Sequence, residues 1–269
     1  MCRLLGVRRS GFYAWRKRPE SEKSRVDRQL AVEVRSAFEE NRRRYGSPRI
    51  HVELRAKGRL VGRHRVARVM RAQHLKARQR RRFVATTDST HQFRVAPNLL
   101  HRNFEASAPN KVWAGDVTFI STAEGWLYLA VLIDLFSRRV VGWAMSDKND
   151  EALTSKALQM AIDQRAPARG LIHHTDRGTT YASTEYQDLL LRNGLQCSMS
   201  RKGNCLDNAV AESFFSTLKT ECTAAMTFRS RDDARQIVFE YVAGFYNPAR
   251  RHSTIGYMSP MEFERTVRQ

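Results

Sequence analysis

Residues 112–120 read Val-Trp-Ala-Gly-Asp-Val-Thr-Phe-Ile, and this stretch decides how the fold is interpreted. The side chains at even-numbered positions, Asp116 among them, alternate with those at odd-numbered positions. This period of two predicts a β-strand. Asp116 is the only charged residue in the stretch. A carboxylate buried in such a strand costs free energy unless a partner compensates for the loss of water. The stretch therefore predicts a core strand that carries a candidate functional carboxylate.

The segments that follow predict how this strand lies in a sheet. Residues 126–135 are apolar up to Asp134, as in a strand buried on both faces, and residues 138–145 form a third strand after a tight turn. Helix and strand patterns then alternate over residues 151–165, 170–174, 184–192, 195–200 and 208–222. The order βββ-α-β-α-β-α predicts an α/β fold, with a mixed sheet flanked by helices of the ribonuclease-H-like kind.

Charge is distributed unevenly along the chain, whose net charge is +20. Residues 1–100 hold 27 Lys and Arg against 8 Asp and Glu, whereas residues 101–269 hold 20 against 19. A solvated surface normally mixes both signs, so the asymmetry indicates a polyanion-binding module attached to a nearly neutral domain. We expect that polyanion to be DNA.

The basic region has helical periodicity. Leu30, Val34 and Phe38 share one face of a helix, Pro48 opens the next helix, and a third follows Gly62. This pattern is typical of an all-helical domain with a helix-turn-helix. The candidate DNA-binding residues are the arginines of the third helix and of the basic run after it: Arg63, Arg65, Arg68, Arg71, Arg80, Arg81 and Arg82.

Two further acidic residues join Asp116 as candidates. Asp176 follows an apolar strand, and Glu212 lies on a helix but outside its apolar face. Taken singly, each has a simpler interpretation: a core hydrogen bond for Asp116, an ordinary turn for Asp176 and a solvated surface for Glu212. Together, the three carboxylates offer the hard oxygen ligands that Mg²⁺ takes in phosphoryl transfer.

The spacing of these carboxylates and the sequence motifs around them resemble those of a known family. Between Asp116 and Asp176 lie 59 residues, and between Asp176 and Glu212 lie 35. This resembles the Asp-Asp-(35)-Glu signature of retroviral integrases and insertion-element transposases, and Lys219 also matches. The other matching sequence motifs occupy residues 45–50, 65–70, 113–120, 174–178, 201–219, 246–253 and 259–263. Nearly the whole chain is similar to the second-frame (OrfB) proteins of the IS3 family of bacterial insertion sequences.

The resemblance implies an activity and the residues that perform it. The implied activity is metal-dependent cleavage and transfer of DNA strands by a transposase. Asp116, Asp176 and Glu212 would be the catalytic residues and would bind two Mg²⁺ or Mn²⁺ ions. Three residues of the matching sequence motifs are further candidates for contact with DNA: Lys219, Arg201 and Lys202.

The resemblance also implies partners. They are double-stranded DNA, as element ends and as target, the upstream OrfA protein or a fusion with it, and further copies of the chain in a homo-oligomer on DNA. The chain departs from the family at Thr179 and Thr180, where Ser-Gln is usual. A polar contact to DNA near Thr180 is therefore not carried over.

These patterns divide the chain into five predicted regions. They are the tail of an upstream DNA-binding helical segment (1–20), a basic helix-turn-helix domain (21–83), a linker (84–108), the integrase catalytic core (109–225) and its C-terminal helical extension (226–269). The sequence shows neither an apolar run near 20 residues nor a signal peptide, and its 4 cysteines lack zinc spacing. We expect a cytoplasmic, nucleoid-associated protein with no membrane partner.

Other interpretations stay open from the sequence. A catalytically inactive DNA-binding regulator or relic would share the basic domain, and a ribonuclease-H-type nuclease would share the core. His173 and His174 suggest a zinc hydrolase, although no HExxH or compact His/Cys group accompanies them. At least one of these histidines is interpreted as a core or supporting residue.

Four further residues receive structural interpretations. Trp113 and Trp126 are predicted to be core aromatics, because large rings dominate core packing. Asn208, by itself or with Asp207, is predicted to cap the helix that carries Glu212.

Overall fold

The computed structural model describes residues 2–78, 95–201, 205–223 and 226–267. Four candidate DNA-binding residues lie outside these ranges: Arg80, Arg81, Arg82 and Lys202. The chain divides into two compact units, Met1–Arg78 and Gln79–Gln269, and each has its own core.

The N-terminal unit is helical. Its helices are α1 (Arg9–Lys17), α2 (Glu22–Glu40), α3 (Ser47–Ala56) and α4 (Arg63–Ala72). The Ser21 side chain accepts a hydrogen bond from the Ser24 amide at 3.2 Å and so caps α2. Pro48 lies in the first turn of α3, where its missing N–H leaves no hydrogen bond unmade.

Apolar side chains of α2, α3 and α4 form the core of this unit. The predicted face of α2 is buried, and α3 and α4 contribute Ile50, Leu54, Val66, Val69 and Met70. Gly58 follows α3 with a φ of +80°, which glycine adopts without steric strain. The predicted all-helical N-terminal domain is confirmed.

The C-terminal unit is built on a sheet whose described strands have the order β3-β2-β1-β4-β5. Their bounds are β1 (Val112–Thr122), β2 (Gly125–Asp134), β3 (Val140–Ser146), β4 (Ile172–Thr175) and β5 (Gln196–Met199). The strands β1, β2 and β3 are antiparallel neighbours, whereas β4 runs parallel to β1 and β5 runs parallel to β4. This mixed sheet confirms the predicted fold class.

Helices flank the sheet. They are α5 (Glu151–Arg165), α6 (Thr179–Ala182), α7 (Thr184–Arg192), α8 (Ala209–Leu218), α9 (Arg231–Tyr241) and α10 (Pro260–Val267). Short 3₁₀ turns occupy Cys205–Asn208 and Ser253–Ile255, and π-helical turns at Lys219–Thr223 and Val242–Tyr246 continue α8 and α9. Across the ranges that the structure describes, no helix has the length and apolar content to cross a membrane.

The two faces of the sheet bury separate cores. One core packs β1 and β2 residues such as Ile120 against Phe214 and Leu218 of α8. The other packs Trp113 and neighbouring sheet residues against α5 and α7. Trp113 is fully buried, as predicted. The prediction for Trp126 is wrong: the residue lies at the start of β2 and is 49% exposed.

The C-terminal residues are built into this unit by buried polar contacts. The Glu264 carboxylate of α10 accepts hydrogen bonds from Arg165 at 2.8 and 2.9 Å and from Arg139 at 2.7 Å. The Asn247 side chain accepts from the Val140 amide at 3.0 Å and donates to the Val140 carbonyl at 2.9 Å. These bonds attach the end of the chain to α5 and β3.

Gly142 is required by the close approach of β3 to α5. A Cβ atom at this position would lie 2.3 Å from the Ala157 carbonyl oxygen and 2.8 Å from the Ala161 Cβ. We expect Gly142→Ala to lower the free energy of unfolding by about 1–3 kcal/mol, because the backbone must move to admit the methyl group. Urea unfolding followed by circular dichroism measures the change.

Gly244→Ala is the matched control, since a Cβ there meets nothing within 4 Å. Equal unfolding midpoints for the Gly142 and Gly244 variants would contradict the close-packing argument.

Candidate active site

A cleft of about 430 Å³ opens at the sheet where β1, β2 and the turn after β4 meet. Its lining includes the carboxylates of Asp116 and Asp176 and the aromatic rings of Phe119, Trp126 and Tyr128. Thr180 also lines it. The structure therefore brings two of the three predicted acidic residues into one cavity. The departure from the family at Thr179 and Thr180 lies on the wall of the same cavity.

Asp116 lies in β1, opposite Val131 of β2, and is half-buried. Its Oδ1 accepts a hydrogen bond from the Val117 amide at 2.8 Å. Burial raises the pKa of Asp116 well above its ordinary value, and the charges of Asp176 and Glu212 raise this pKa further. The Val117 hydrogen bond and the Lys219 charge act in the opposite direction. The cleft thus concentrates negative charge around Asp116.

Asp176 follows β4 directly, and its position is set by a tight turn. The Gly178 amide donates a hydrogen bond to its Oδ1 at 2.9 Å. A Cβ atom at Gly178 would lie 3.0 Å from that oxygen, so a larger residue would crowd the carboxylate. Thr175 and the strand before it are buried, whereas Asp176 itself is half-exposed at the cleft.

Glu212 lies in the first turn of α8 and is exposed. It is near enough for its charge to contribute to the raised pKa of Asp116. Within the described ranges, no three His, Cys, Asp or Glu side chains are close enough together to hold a metal ion. The structure therefore places Asp116 and Asp176 in the cleft, with Glu212 near enough for its charge to act on Asp116.

Lys219 begins the π-helical turn after α8. Its Nζ lies 5.0 Å from the centre of the Phe119 ring, a cation–π distance. Burial lowers the pKa of Lys219, and the Asp116 carboxylate counteracts this effect. Lys219 thus places a cation over an aromatic ring at the edge of the acidic cleft.

A buried network holds the start of α8 against the sheet. His174 of β4 bonds to the Ser198 hydroxyl at 2.8 Å through Nδ1 and to the Asp207 carbonyl at 2.9 Å through Nε2. A carbonyl can only accept, so Nε2 carries the proton and Nδ1 accepts from Ser198. Burial lowers the pKa of His174, which favours this neutral form.

Asp207 is a buried acidic residue that sequence reasoning treated only as a helix cap. Its carboxylate accepts hydrogen bonds from the Arg201 side chain at 3.0 Å and from Arg102 at 3.2 Å. The Arg201 hydrogen bond lowers the pKa of Asp207, so the carboxylate stays ionised. Arg201, a candidate for contact with DNA, is thus engaged in an ion pair although half of its side chain is exposed.

The prediction that the Asn208 side chain caps α8 is wrong. Asn208 occupies the N-cap position, but its side chain makes no capping hydrogen bond. Its Nδ2 instead donates to the Gly115 carbonyl at 3.3 Å, which links the start of α8 to the residue before Asp116. The nearness of β1 decides this contact, and the local sequence does not reveal it.

His173 is also a buried core residue. It bonds to the Tyr186 hydroxyl at 2.7 Å. A Cβ at Gly115 would lie 2.8 Å from its ring, so glycine makes room for it. Burial lowers the pKa of His173 to about 3. Both histidines are buried side chains of β4 that bond to other core residues. This arrangement gives no support to a zinc hydrolase.

The candidate DNA-binding arginines of α4 differ in their surroundings. Arg65 and Arg68 pair with Asp27 of α2 at 2.6 and 3.1 Å. Arg63 and Arg71 are exposed. Exposed ion pairs are weak, so the first two residues remain available to a stronger anion.

Models of known families match most of the chain. Two models described as integrase core domain match residues 106–205 and 193–260, and one described as HTH-like domain matches residues 25–83. Together with the sheet order, these matches define the class of the protein: a polynucleotidyl transferase with a ribonuclease-H-like integrase core and an HTH-like domain.

Relatives narrow the class to one family. The transposase InsF for insertion sequence IS3A of Escherichia coli (strain K12) is 46% identical over 266 residues, which cover 98% of this chain and 92% of InsF. An uncharacterized 31 kDa protein of insertion element IS600 from Shigella sonnei is 44% identical over 269 residues, covering 100% of this chain and 99% of that protein. The chain belongs to the IS3 family of insertion-sequence transposases, and it acts on DNA.

A solved structure agrees in fold. It is a chain in the cryo-electron microscopy structure of the simian T-cell lymphotropic virus intasome in complex with PP2A regulatory subunit B56 gamma. The TM-score is 0.51 at 16% identity, over 82% of this chain and 70% of that chain. At this identity the likeness supports the fold alone.

We expect Asp116→Asn to raise the free energy of unfolding at neutral pH in the presence of EDTA. The pKa of Asp116 is raised in the folded protein, so its ionised form destabilises the fold. This penalty is present at neutral pH. It disappears as the pH falls below the ordinary Asp pKa of 3.8, where the folded and unfolded chains both bind the proton. Urea unfolding midpoints at neutral and acidic pH measure the difference.

Asp163→Asn provides the control, because Asp163 is exposed on α5. A gain of similar size in both variants at neutral pH would show that burial of Asp116 is not the cause.

Proposed function

We propose that Asp116, Asp176 and Glu212 are the catalytic residues of DNA strand cleavage and strand transfer, and that they hold two divalent ions, Mg²⁺ or Mn²⁺. The observation that carries this proposal is the cleft lined by Asp116 and Asp176, with Glu212 near enough for its charge to raise the pKa of Asp116. Like charges gathered in a half-buried cleft are unfavourable on their own, and a divalent cation makes the same arrangement favourable.

The donor set supports Mg²⁺ or Mn²⁺. Carboxylate oxygens are the ligands that these ions prefer, and both neighbouring histidines are held in the core. When bound, the ions would activate the attacking hydroxyl or water and stabilise the leaving oxygen. Glu212 lies in the first turn of α8, whose start is bonded to β1 through Asn208, and its charge acts on Asp116.

The chain's own residues would bind and orient DNA. Lys219, at the edge of the cleft, would contact a phosphate near the cut site. Arg201 and Lys202 precede the 3₁₀ turn before α8 and would contact the backbone farther out. In the N-terminal unit, Arg63 and Arg71 would contact phosphates directly, and Arg65 and Arg68 would do so by exchanging Asp27 for phosphate.

The proposed division of the chain follows the sequence regions 1–20, 21–83, 84–108, 109–225 and 226–269. The proposed partners are element-end and target DNA, the upstream OrfA protein or a fusion with it, and further copies of this chain. Pairing of two DNA ends favours at least a dimer, because each end needs its own catalytic cleft.

Strand transfer in vitro tests the assignment of the carboxylates. The assay combines the chain, alone and fused to its upstream OrfA partner, with element-end DNA and either Mg²⁺ or Mn²⁺. Glu212→Gln keeps the shape of the side chain but removes its charge, and we expect joined products to fall by at least about 100-fold. EDTA should abolish joining by the wild type.

Glu240→Gln is the matched control, since the same change is made on an exposed residue of α9. Equal joining by the wild type and by Glu212→Gln would refute the assignment of Glu212. If no protein joins DNA although binding is intact, the chain is a DNA-binding regulator or relic.

Salt dependence tests the DNA contacts of α4. We expect Arg63→Gln and Arg71→Gln each to reduce the slope of log Kd against log salt by about 1, because each removes one phosphate contact. Fluorescence anisotropy with duplex DNA measures the slope. Arg192→Gln, an exposed change on α7, is the control and should leave the slope unchanged. Unaltered slopes in both α4 variants would remove these residues from the DNA interface.

A further inference from the structure

Two aromatic rings of the cleft are exposed in a way that the fold does not explain. Phe119 of β1 is 37% exposed and Trp126 of β2 is 49% exposed. Their ring centres are 4.8 Å apart with the planes at 74°, so the edge of one ring meets the face of the other. Exposed rings of this size forgo the free energy that burial would supply. We call this pair the aromatic ledge.

The aromatic ledge belongs to the same cavity as the acidic pair. Phe119 and Trp126 line the cleft of about 430 Å³ together with Asp116 and Asp176. A ligand that occupies this cleft therefore meets both a carboxylate pair and an apolar ring surface.

A cation completes the surface. The Lys219 Nζ lies 5.0 Å from the Phe119 ring centre, so positive charge and aromatic surface are adjacent. Single-stranded nucleic acids are bound by this combination, in which a cation attracts the backbone and a ring stacks on a base. A base in a duplex is stacked on both faces by its neighbours, so only an unpaired base can use such a ring.

We propose that the aromatic ledge stacks an unpaired nucleobase of the DNA strand whose phosphate lies at Asp116 and Asp176. Trp126 provides the larger and more exposed ring, and Phe119 supports it from the side that carries Lys219. This proposal rests on the proposed function, since it requires a DNA strand in the cleft. Stacking on Trp126 orients the strand end and offsets part of the cost of unpairing it.

The test measures base stacking apart from catalysis. The full chain is titrated in Ca²⁺, a divalent ion that takes carboxylate oxygens, with a labelled DNA duplex that ends in a short single-stranded thymidine extension, and with the same duplex whose extension is abasic. Contacts of the basic unit with the duplex are the same in both titrations and cancel in the ratio of the two Kd values. For the wild type we expect binding to the thymidine extension to be about tenfold tighter.

Variants assign the difference to the aromatic ledge. Trp126→Ala should bring the ratio of Kd values to about one, whereas Trp126→Phe, which keeps a ring, should retain most of it. The Trp126 backbone carbonyl accepts a hydrogen bond from Arg231 at 3.1 Å, and this contact survives truncation of the side chain. Phe239→Ala, which removes a 56% exposed ring on α9, is the matched control and should keep the wild-type ratio.

Each outcome decides the proposal. A ratio of one in the wild type, or a tenfold ratio that persists in Trp126→Ala, would overturn stacking on the aromatic ledge. Equal weakening of both DNAs by Trp126→Ala would also overturn it, because the ring would then serve folding or backbone contact. Glu212→Gln should keep the ratio while it lowers joining. Joining that persists in this variant with the ratio intact would show failure of the triad assignment without failure of stacking, whereas a ratio of one with joining lost would show the reverse.

Discussion

The parallel register between β1 and β4 is the constraint on which the acidic cleft depends. Val112 pairs with Ile172 and Ala114 pairs with His174, and Asp116 and Asp176 each follow the end of this ladder by two residues. The two carboxylates are separated by 59 intervening residues in the chain and become neighbours through this short ladder.

Helix α8 depends on a second set of buried contacts. His174 bonds to the Asp207 carbonyl, and Asn208 reaches the carbonyl of Gly115, so strands β1 and β4 both contact the residues that open the helix. Buried polar groups are expensive when unpaired, so these bonds favour one position of α8 over its neighbours. That position sets where Glu212 and Lys219 stand relative to the cleft.

Residues in the C-terminal part of the chain contact the π-helical turn that continues the same helix. Arg250 pairs with Glu221 of the π-helical turn at 2.7 Å, and both side chains are buried. Tyr241 donates a further hydrogen bond to Glu221 at 2.8 Å. Removing one partner of such a buried pair would leave an uncompensated charge. Residues 246–253, which match a sequence motif of the family, thus make structural contacts within the C-terminal unit.

The sequence by itself determined the strand of Asp116, the order of helices and strands and the basic N-terminal unit, because periodicity and charge are local properties. The resemblance to the family rested on the spacing of the carboxylates and on the motifs around them, which the sequence also contains. Only the tertiary structure decided that Trp126 is exposed in the cleft, that Asn208 contacts β1 and that Arg201 pairs with Asp207. Local patterns report whether a residue is apolar or charged. They do not report whether a residue is covered in the folded protein, or which distant backbone group comes within hydrogen-bond distance of it. Both depend on packing between segments far apart in the chain.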